Sequence, residues 1–416
     1  MAPDAVRPAA PPRVCVVGAG FAGLAAAWTL QRGGAEVVLL EARDRVGGRV
    51  RSQPLPNGAV AELGAEFVEH DQQVLAATAA ALGVPLVPAG MSYGDREPRG
   101  GRVVSRATLR AEVARLGHLV AERRARLPAM SVAALLNELP LDPGARDAIA
   151  ARIQISAAQP LDQLAATSLE HAGSTFDTRE SLRVAGGNQR LALALASRIG
   201  KAVRLGTPVE AVSWSEAQAR IRAAGGTVEA DACVLTVPVS VMEAITFDPP
   251  LPGWKRTAFN RVAYGHAAKL HVPLCEPAPP SAVMSVPDRY WTYTARGAGG
   301  EVQPLVSAFA GSAPALAGLR VAAGPAAWLE RLRRLRPDLA MDAAAAVLAT
   351  WDDDPWARAA YSTRVPGWHR EDDELLARPI GPLHFAGEHT AGEWAGLMEG
   401  ALRSGERAAR EVLAWE

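Results

Sequence analysis

Lysine is almost missing from this chain. Lys201, Lys255 and Lys269 are three of 44 basic residues, so the other 41 are arginine. That ratio, with abundant Ala and Gly, reads as a GC-rich bacterial gene. It also draws attention to each lysine retained, because a compact ammonium does chemistry that a guanidinium does not. Net charge is lacking as well, since 44 acidic residues balance the basic ones. Without a basic excess, neither nucleic acid nor an anionic membrane surface is expected as a partner. Cysteine is scarce. Cys15, Cys233 and Cys275 are odd in number and far apart. This excludes a disulfide framework and metal-ligand spacing; Cys15 and Cys233 read as reduced, buried strand residues, and no metal is expected. Long apolar runs are absent: no window holds 18 uninterrupted apolar residues, which argues against a membrane span. The opening MAPDAVRPAAPP lacks an apolar centre, so residues 1–12 read as a disordered leader and the expected location is cytoplasmic.

What is present is 416 residues with 49% hydrophobic content, enough for two domains or one large mixed one. Near the N-terminus an apolar run, Val14 to Val17, ends in GAGFAG at residues 18–23. An Ala/Leu-rich helix follows, then a second apolar run, Val37 to Leu40, closed by Glu41. This is strand, glycine turn, helix, strand, acid. Gly18 permits the tight turn, Gly20 lets backbone N–H groups approach a pyrophosphate, and Gly23 lets helix pack on strand. The helix start, with Phe21 and Ala22, turns its positive dipole end to the phosphates. Glu41 lies where a carboxylate accepts hydroxyl protons of an adenosine ribose. A glycine turn without a ligand explains the turn but not the whole string. Directly after Glu41, Ala42 and Arg43 lead to a second glycine-arginine turn at Gly47, Gly48 and Arg49, able to place donors beside a diphosphate or a flavin edge.

Further on, helical spacing predicts helices over 72–83, 106–125, 131–138 and 143–154, with Ser131 as an N-cap. Gly186, Gly187, Asn188 and Gln189 open a helix through Ser197. Strands are expected near 203–213, 218–223 and 231–238, over Ala267–Val272 and Gln303–Phe309, and at Leu383 to Phe385. A last helix starts near Gly396. Tyr290, Trp291 and Tyr293 alternate in a strand, one face core and the other a candidate cavity lining.

The string EARDRVGGR at 41–49, together with FAGEHT at 385–390, WAGLMEGA at 394–401 and GERAA at 405–409, resembles the flavin-containing amine oxidase family closely at both ends of the chain. The resemblance implies FAD. It implies an α/β fold, an FAD-binding Rossmann-like domain of the amine-oxidase or para-hydroxybenzoate-hydroxylase type, interleaved with a mixed sheet-plus-helices substrate domain. The expected FAD-binding domain comprises residues 13–75, 183–255 and 376–416; the substrate domain comprises 76–182 and 256–375. Cofactor contacts are then expected from the residues named above and from Gly64, Ala65, Glu66, Val209, Gly387, Glu388, Gly396, Leu397 and Met398. Glycines at 396 and 400 would clear space for helix N–H groups to meet the flavin pyrimidine, and Glu388 would bind flavin-linked hydroxyls. A plain C-terminal helix packed on a sheet accounts for the Ala/Leu face alone.

For the chemistry, the family places a lysine at the position of Lys269, linked through water to the hydride-accepting nitrogen and thought to help dioxygen reoxidise the flavin. The bland alternative is a strand-end lysine reaching solvent. Tyr361 matches one of two tyrosines that flank the amine in monoamine oxidases; the other falls at Leu397, which has no ring. Ala360 stands where covalent members have cysteine, so FAD is expected to be noncovalent. Gly64 and Ala65 match small residues against the flavin ring, so Glu66 and Phe67 should project into the substrate cavity, with Trp394 also at its edge. A carboxylate there should have a raised pKa and serve as acid, base or ammonium partner; the alternative is a salt bridge to Arg49 or Arg183. His70 and His171 carry no assigned role. The resulting expectation is an oxidase that takes hydride from the C–H next to an amine nitrogen and returns hydrogen peroxide from dioxygen. A same-fold flavoenzyme acting on an amide or other C–N or C–C bond, in specialised metabolism, and a non-catalytic flavoprotein are the rivals. Oligomeric state is open, with a homodimer one option.

Overall fold

The structure, a computed structural model, describes residues 11–170, 176–297 and 300–414. Most of the expected leader and His171 lie outside the described residues. Elements that frame the site are, along the chain, β1 (Arg13–Val17), α1 (Phe21–Arg32), β2 (Glu36–Leu40), α2 (Pro143–Ala157), α3 (Gln189–Ile199), β3 (Val203–Arg204), β4 (Ala232–Leu235), β5 (Ala267–Pro273), β6 (Ser281–Ser285), β7 (Tyr290–Thr294), β8 (Leu305–Gly311), β9 (Val347–Thr350), β10 (Leu383–Phe385) and α4 (Met398–Leu413).

Two sheets divide the work. The first has the order β10-β4-β1-β2-β3, all parallel. Its central strands read as continuous apolar runs because both faces are covered. Cys15 and Cys233 are register partners on β1 and β4, both buried and unbridged. α1 covers one face together with α4. Their crossing is close because a Cβ at Gly405 would stand 2.1 Å from the Ala22 carbonyl oxygen. Gly23 serves the same end: its Cβ would stand 1.8 Å from the Gly18 oxygen, so only glycine lets α1 sit on its own turn.

The second sheet has the order β9-β5-β8-β7-β6, with a short strand, Glu97–Arg99, on its edge. β5 is buried along its whole length, so its alternation does not separate a wet face from a dry one. Tyr290 turns to one side and packs edge-on against Trp328; Trp291 and Tyr293 turn to the other and stack on each other.

The helical stretch after residue 72 comprises Gln73–Ala81, Arg106–Glu122, Val132–Glu138 and α2. Ser131 caps the third of these, accepting from the Ala134 N–H at 3.1 Å. One expected strand divides. Instead of running from 203 to 213, the chain turns at Gly206, whose φ is +62°. Gly206 and Thr207 donate back to the carbonyls of Arg43 and Glu41. β3 therefore stays in the parallel sheet, and Val209–Trp214 joins a separate four-stranded sheet. Among the described residues, no helix is long and apolar enough to cross a membrane.

Candidate active site

A cavity of about 500 Å³ runs from the C-terminal ends of β1 and β2 to the face of the second sheet. At the first end, the N-terminus of α1 opens on it. No side chain caps this helix and its first turn holds no acidic residue, so its leading N–H groups are available to an anion. A Cβ at Gly20 would meet nothing within 4 Å; the second glycine turn comes up to it, with a Cβ at Gly48 only 3.2 Å from the Gly20 Cα. Glu41 is buried, fixed by N–H donors of Ala19 (2.7 Å) and Arg43 (2.9 Å). Phe21, Ala22, Ala42, Arg43, Arg49 and Val209 also line this part. A bare helix end, a glycine cradle and a fixed carboxylate fit a dinucleotide with its pyrophosphate and ribose. Gly23 lies behind the turn, so its part is packing.

Toward the middle, several expectations change. Glu388 lines the cavity, but both its oxygens are engaged inside the protein. They accept from Ser362 N–H (3.1 Å) and Oγ (2.5 Å) and from Gly396 N–H (2.7 Å), and they pair with Arg49 at 3.1 Å. Burial works to raise its pKa, yet Arg49 and these donors hold it below the usual carboxylate range. Glu388 organises the wall rather than offering a free acceptor. Gly64 is small for the backbone's sake, since its Cβ would stand 1.9 Å from the Arg49 carbonyl oxygen. Gly64 and Ala65 both line the cavity. Gly400 likewise makes room for the Trp394 carbonyl oxygen, which a Cβ there would approach to 2.1 Å, and not for a ligand. As a correction, Trp394 is not among the residues lining the cavity: its ring lies 4.7 Å from the Arg403 guanidinium. Gly387 does line it, just after β10, and so do Gly396, Leu397 and Met398 at the uncapped start of α4.

At the second-sheet end, Lys269 on β5 donates from Nζ to Glu66 Oε2 at 2.7 Å. Arg183 pairs with the other carboxylate oxygen at 3.2 Å, and the Tyr293 hydroxyl donates to Oε2 as well. All four are buried. The expected raised pKa of Glu66 is overturned. Burial does push it up, but the charges of Lys269 and Arg183 prevail and bring it down to about 2. Glu66 is thus a fixed anion at ordinary pH. The Arg183 salt bridge is the one the sequence offered as the bland alternative; Arg49 takes Glu388 instead. Behind the pair, His271 is held neutral by burial, its pKa lowered to about 3. Lys269 is not a strand-end lysine reaching solvent, being 7% exposed.

Tyr361 lines the cavity and donates to the Ser156 carbonyl at 2.7 Å. Its ring lies over Gly396. Phe67, Trp291, Tyr293 and Phe309 complete an aromatic wall. Sequence reading missed Tyr93 and Ser156, which meet here at 3.0 Å. They come from a loop and from α2, and no local pattern marks either. Phe309 stands opposite Lys269 in register, so pairing the two expected strands would have found it. His70 is exposed and bonds the Glu180 carbonyl.

A sequence profile of the family described as flavin containing amine oxidoreductase matches residues 21–174 and 154–413. The chain belongs to that family. As a member it is a flavin-dependent amine oxidoreductase with the family's mixed α/β fold. It is 29% identical to a putative flavin-containing monoamine oxidase of Mycobacterium tuberculosis, with 96% of each chain covered. It is 28% identical to putrescine oxidase of Kocuria rosea, covering 96% of this chain and 95% of that one. A putrescine oxidase solved with bound putrescine superposes with a TM-score of 0.84 at 25% identity, over 97% of this chain and 99% of the other.

Proposed function

We propose that the protein holds FAD noncovalently and oxidises an amine at the C–H beside its nitrogen, with dioxygen as electron acceptor. When bound, the flavin supplies the redox chemistry, taking the hydride as the amine becomes an imine and handing the electrons to dioxygen as hydrogen peroxide. The protein's own residues bind, orient and shield. The α1 terminus and the glycine turns receive the pyrophosphate, and Glu41 the ribose. Ala360 offers no thiolate for a covalent bond. Tyr361, Phe67 and Leu397 shape the space in which the substrate C–H is oriented and bulk water excluded. Lys269 keeps an ammonium at that space, held in place by Glu66, where charge developing on dioxygen is stabilised.

The observation that carries this reading is the joining of two ends in one cavity: a dinucleotide cradle on the parallel sheet and a buried lysine on the antiparallel one. The strands also support the expected division. Every strand of the parallel sheet comes from 13–75, 183–255 or 376–416. Every strand of the other large sheet comes from 76–182 or 256–375. The test is incubation of the yellow protein with a panel of amines under air. Amine-dependent flavin bleaching without oxygen and peroxide release with it are expected; bleaching by no amine would sink the proposal.

A further inference from the structure

One face of the second sheet carries two successive rungs of side chains. Lys269, Phe309 and Trp291 are register partners across β5, β8 and β7. Register partners project to one face, and all three line the cavity. The next rung on that face is His271, Ser307 and Tyr293. Tyr293 also lines the cavity, whereas His271 and Ser307 are not among the lining residues. His271 is buried, with 0% exposure, and the chemistry proposed above does not use it. Yet both of its ring nitrogens are engaged. Nδ1 lies 2.9 Å from Ser307 Oγ, and Nε2 lies 3.1 Å from the Glu62 carbonyl oxygen.

These partners fix where each proton of the rung sits. A carbonyl oxygen only accepts, so Nε2 carries the ring hydrogen. Burial and the cations Lys269 and Arg183 lower the pKa of His271, outweighing the Glu66 anion and the Glu62 carbonyl. The ring is therefore neutral, Nδ1 is bare, and Ser307 gives it its hydroxyl proton. Tyr293 gives its own proton to Glu66. The rung thus holds one short segment at both ends. His271 holds Glu62 by its carbonyl. Tyr293, with Lys269 on the same oxygen, holds Glu66 by its carboxylate. Between them lie Gly64 and Ala65, which line the cavity. The Glu62 carboxylate does not compete for the ring, since its oxygens accept from Ser52 Oγ and from the Asn188 N–H, each at 2.8 Å.

We propose that His271 is a positioning residue for Lys269: as the neutral tautomer with its hydrogen on Nε2, it anchors the 62–66 segment through the Glu62 carbonyl, so that Glu66 holds the ammonium where dioxygen is to be met. The inference deepens the oxidase reading above and rests on the part that reading gives to Lys269. Removing the ring would leave the Ser307 hydroxyl and the Glu62 carbonyl without their buried partner, and the segment free to shift. A histidine that merely fills the core would lower stability on removal and leave the work of the lysine as it was.

Two measurements test this. In the first, the flavin of the loaded protein is reduced by light, so that no substrate is needed, and its reoxidation by dioxygen is followed by stopped flow. His271→Leu should slow reoxidation by about 10- to 100-fold, the scale of an ångström-sized misplacement. His271→Gln, which keeps an N–H within reach of Glu62, should restore most of the rate. In a Lys269→Met background His271→Leu should add little, since both act through one ammonium. If His271→Leu fails to fold, His271→Asn, which answers Ser307 but does not reach Glu62, takes its place. The second measurement is nitrogen NMR of the histidine-labelled wild type, with His271→Gln as the assignment reference among eight histidines. His271 should keep the neutral Nε2–H pattern from about pH 5 to 9, across the range where an ordinary imidazole titrates. Slow Lys269→Met beside unchanged His271→Leu overturns this proposal alone. So does a full additive effect in the double variant, or a His271 that titrates or carries its hydrogen on Nδ1. Unchanged reoxidation in Lys269→Met overturns the part given to that lysine and this proposal with it. A flavin that no amine reduces, beside slow reoxidation in His271→Leu, overturns the oxidase reading alone.

Discussion

Lys269 and Glu66 form a buried ion pair, Nζ to Oε2 at 2.7 Å, with Arg183 closing the other side of the carboxylate. The lysine is therefore positioned by a permanent anion rather than by a proton carrier. Glu66→Gln should leave every limb of the pH profile of flavin reduction where it was, because a group with a pKa near 2 does not titrate in the working range. It should destabilise the fold by roughly 3 kcal/mol or more, as two cations lose their counter-charge. A missing limb in the variant's profile would restore Glu66 as the acid or base.

The same pair has an acid signature. The folded pKa of Glu66 lies below its ordinary 4.5, so its stabilisation is complete above about pH 5 and is lost as pH falls toward 2. Melting temperature of the wild type should drop over that window, and the drop should be shallower in Glu66→Gln. Parallel curves would show that the ion pair does not contribute.

Lys269→Met should slow reoxidation of the flavin by dioxygen far more than its reduction by substrate. A positioned ammonium stabilises charge on oxygen by a few kcal/mol in a preorganised site. Arg183 and Tyr293 still hold Glu66, so the variant should fold. Stopped-flow traces with unchanged reoxidation would remove Lys269 from the chemistry.

Flavin should leave the protein on acid precipitation. Ala360 is buried, has no thiol and gives its carbonyl to Arg49 at 2.5 Å. Yellow colour in the pellet rather than the supernatant would contradict a noncovalent cofactor.

Glu69 gives a prediction of opposite sign. Burial raises its pKa to about 7, Ser181 holds one oxygen, and Oε2 has no partner among the described residues. Its folded pKa exceeds the unfolded one, so the charged form costs stability as pH rises from about 4.5 through 7. Glu69→Gln should raise the melting temperature by a few degrees at pH 8 and by less at pH 5. An equal change at both values would mean the carboxylate is not desolvated.

Local chemistry made much of this protein legible in one dimension. The turn at Gly18 to Gly23, the acid at Glu41 and the second turn at Gly47 to Arg49 act through backbone geometry within a few residues, so their spacing alone carries their meaning. Lys269 stood out because the chain keeps so few lysines. Tyr290, Trp291 and Tyr293 declared two faces by alternation, and the structure uses both. What spacing cannot express is which distant group meets which. The strong carboxylates were visible as letters, but their pKa values depend on groups far away in the chain: Arg183 and Lys269 at Glu66, Arg49 at Glu388. Coulomb energy depends on distance and on the surrounding medium, and both are set by the fold. So Glu66 became a buried anion and Glu388 a brace, and Trp394 came to lie beside Arg403.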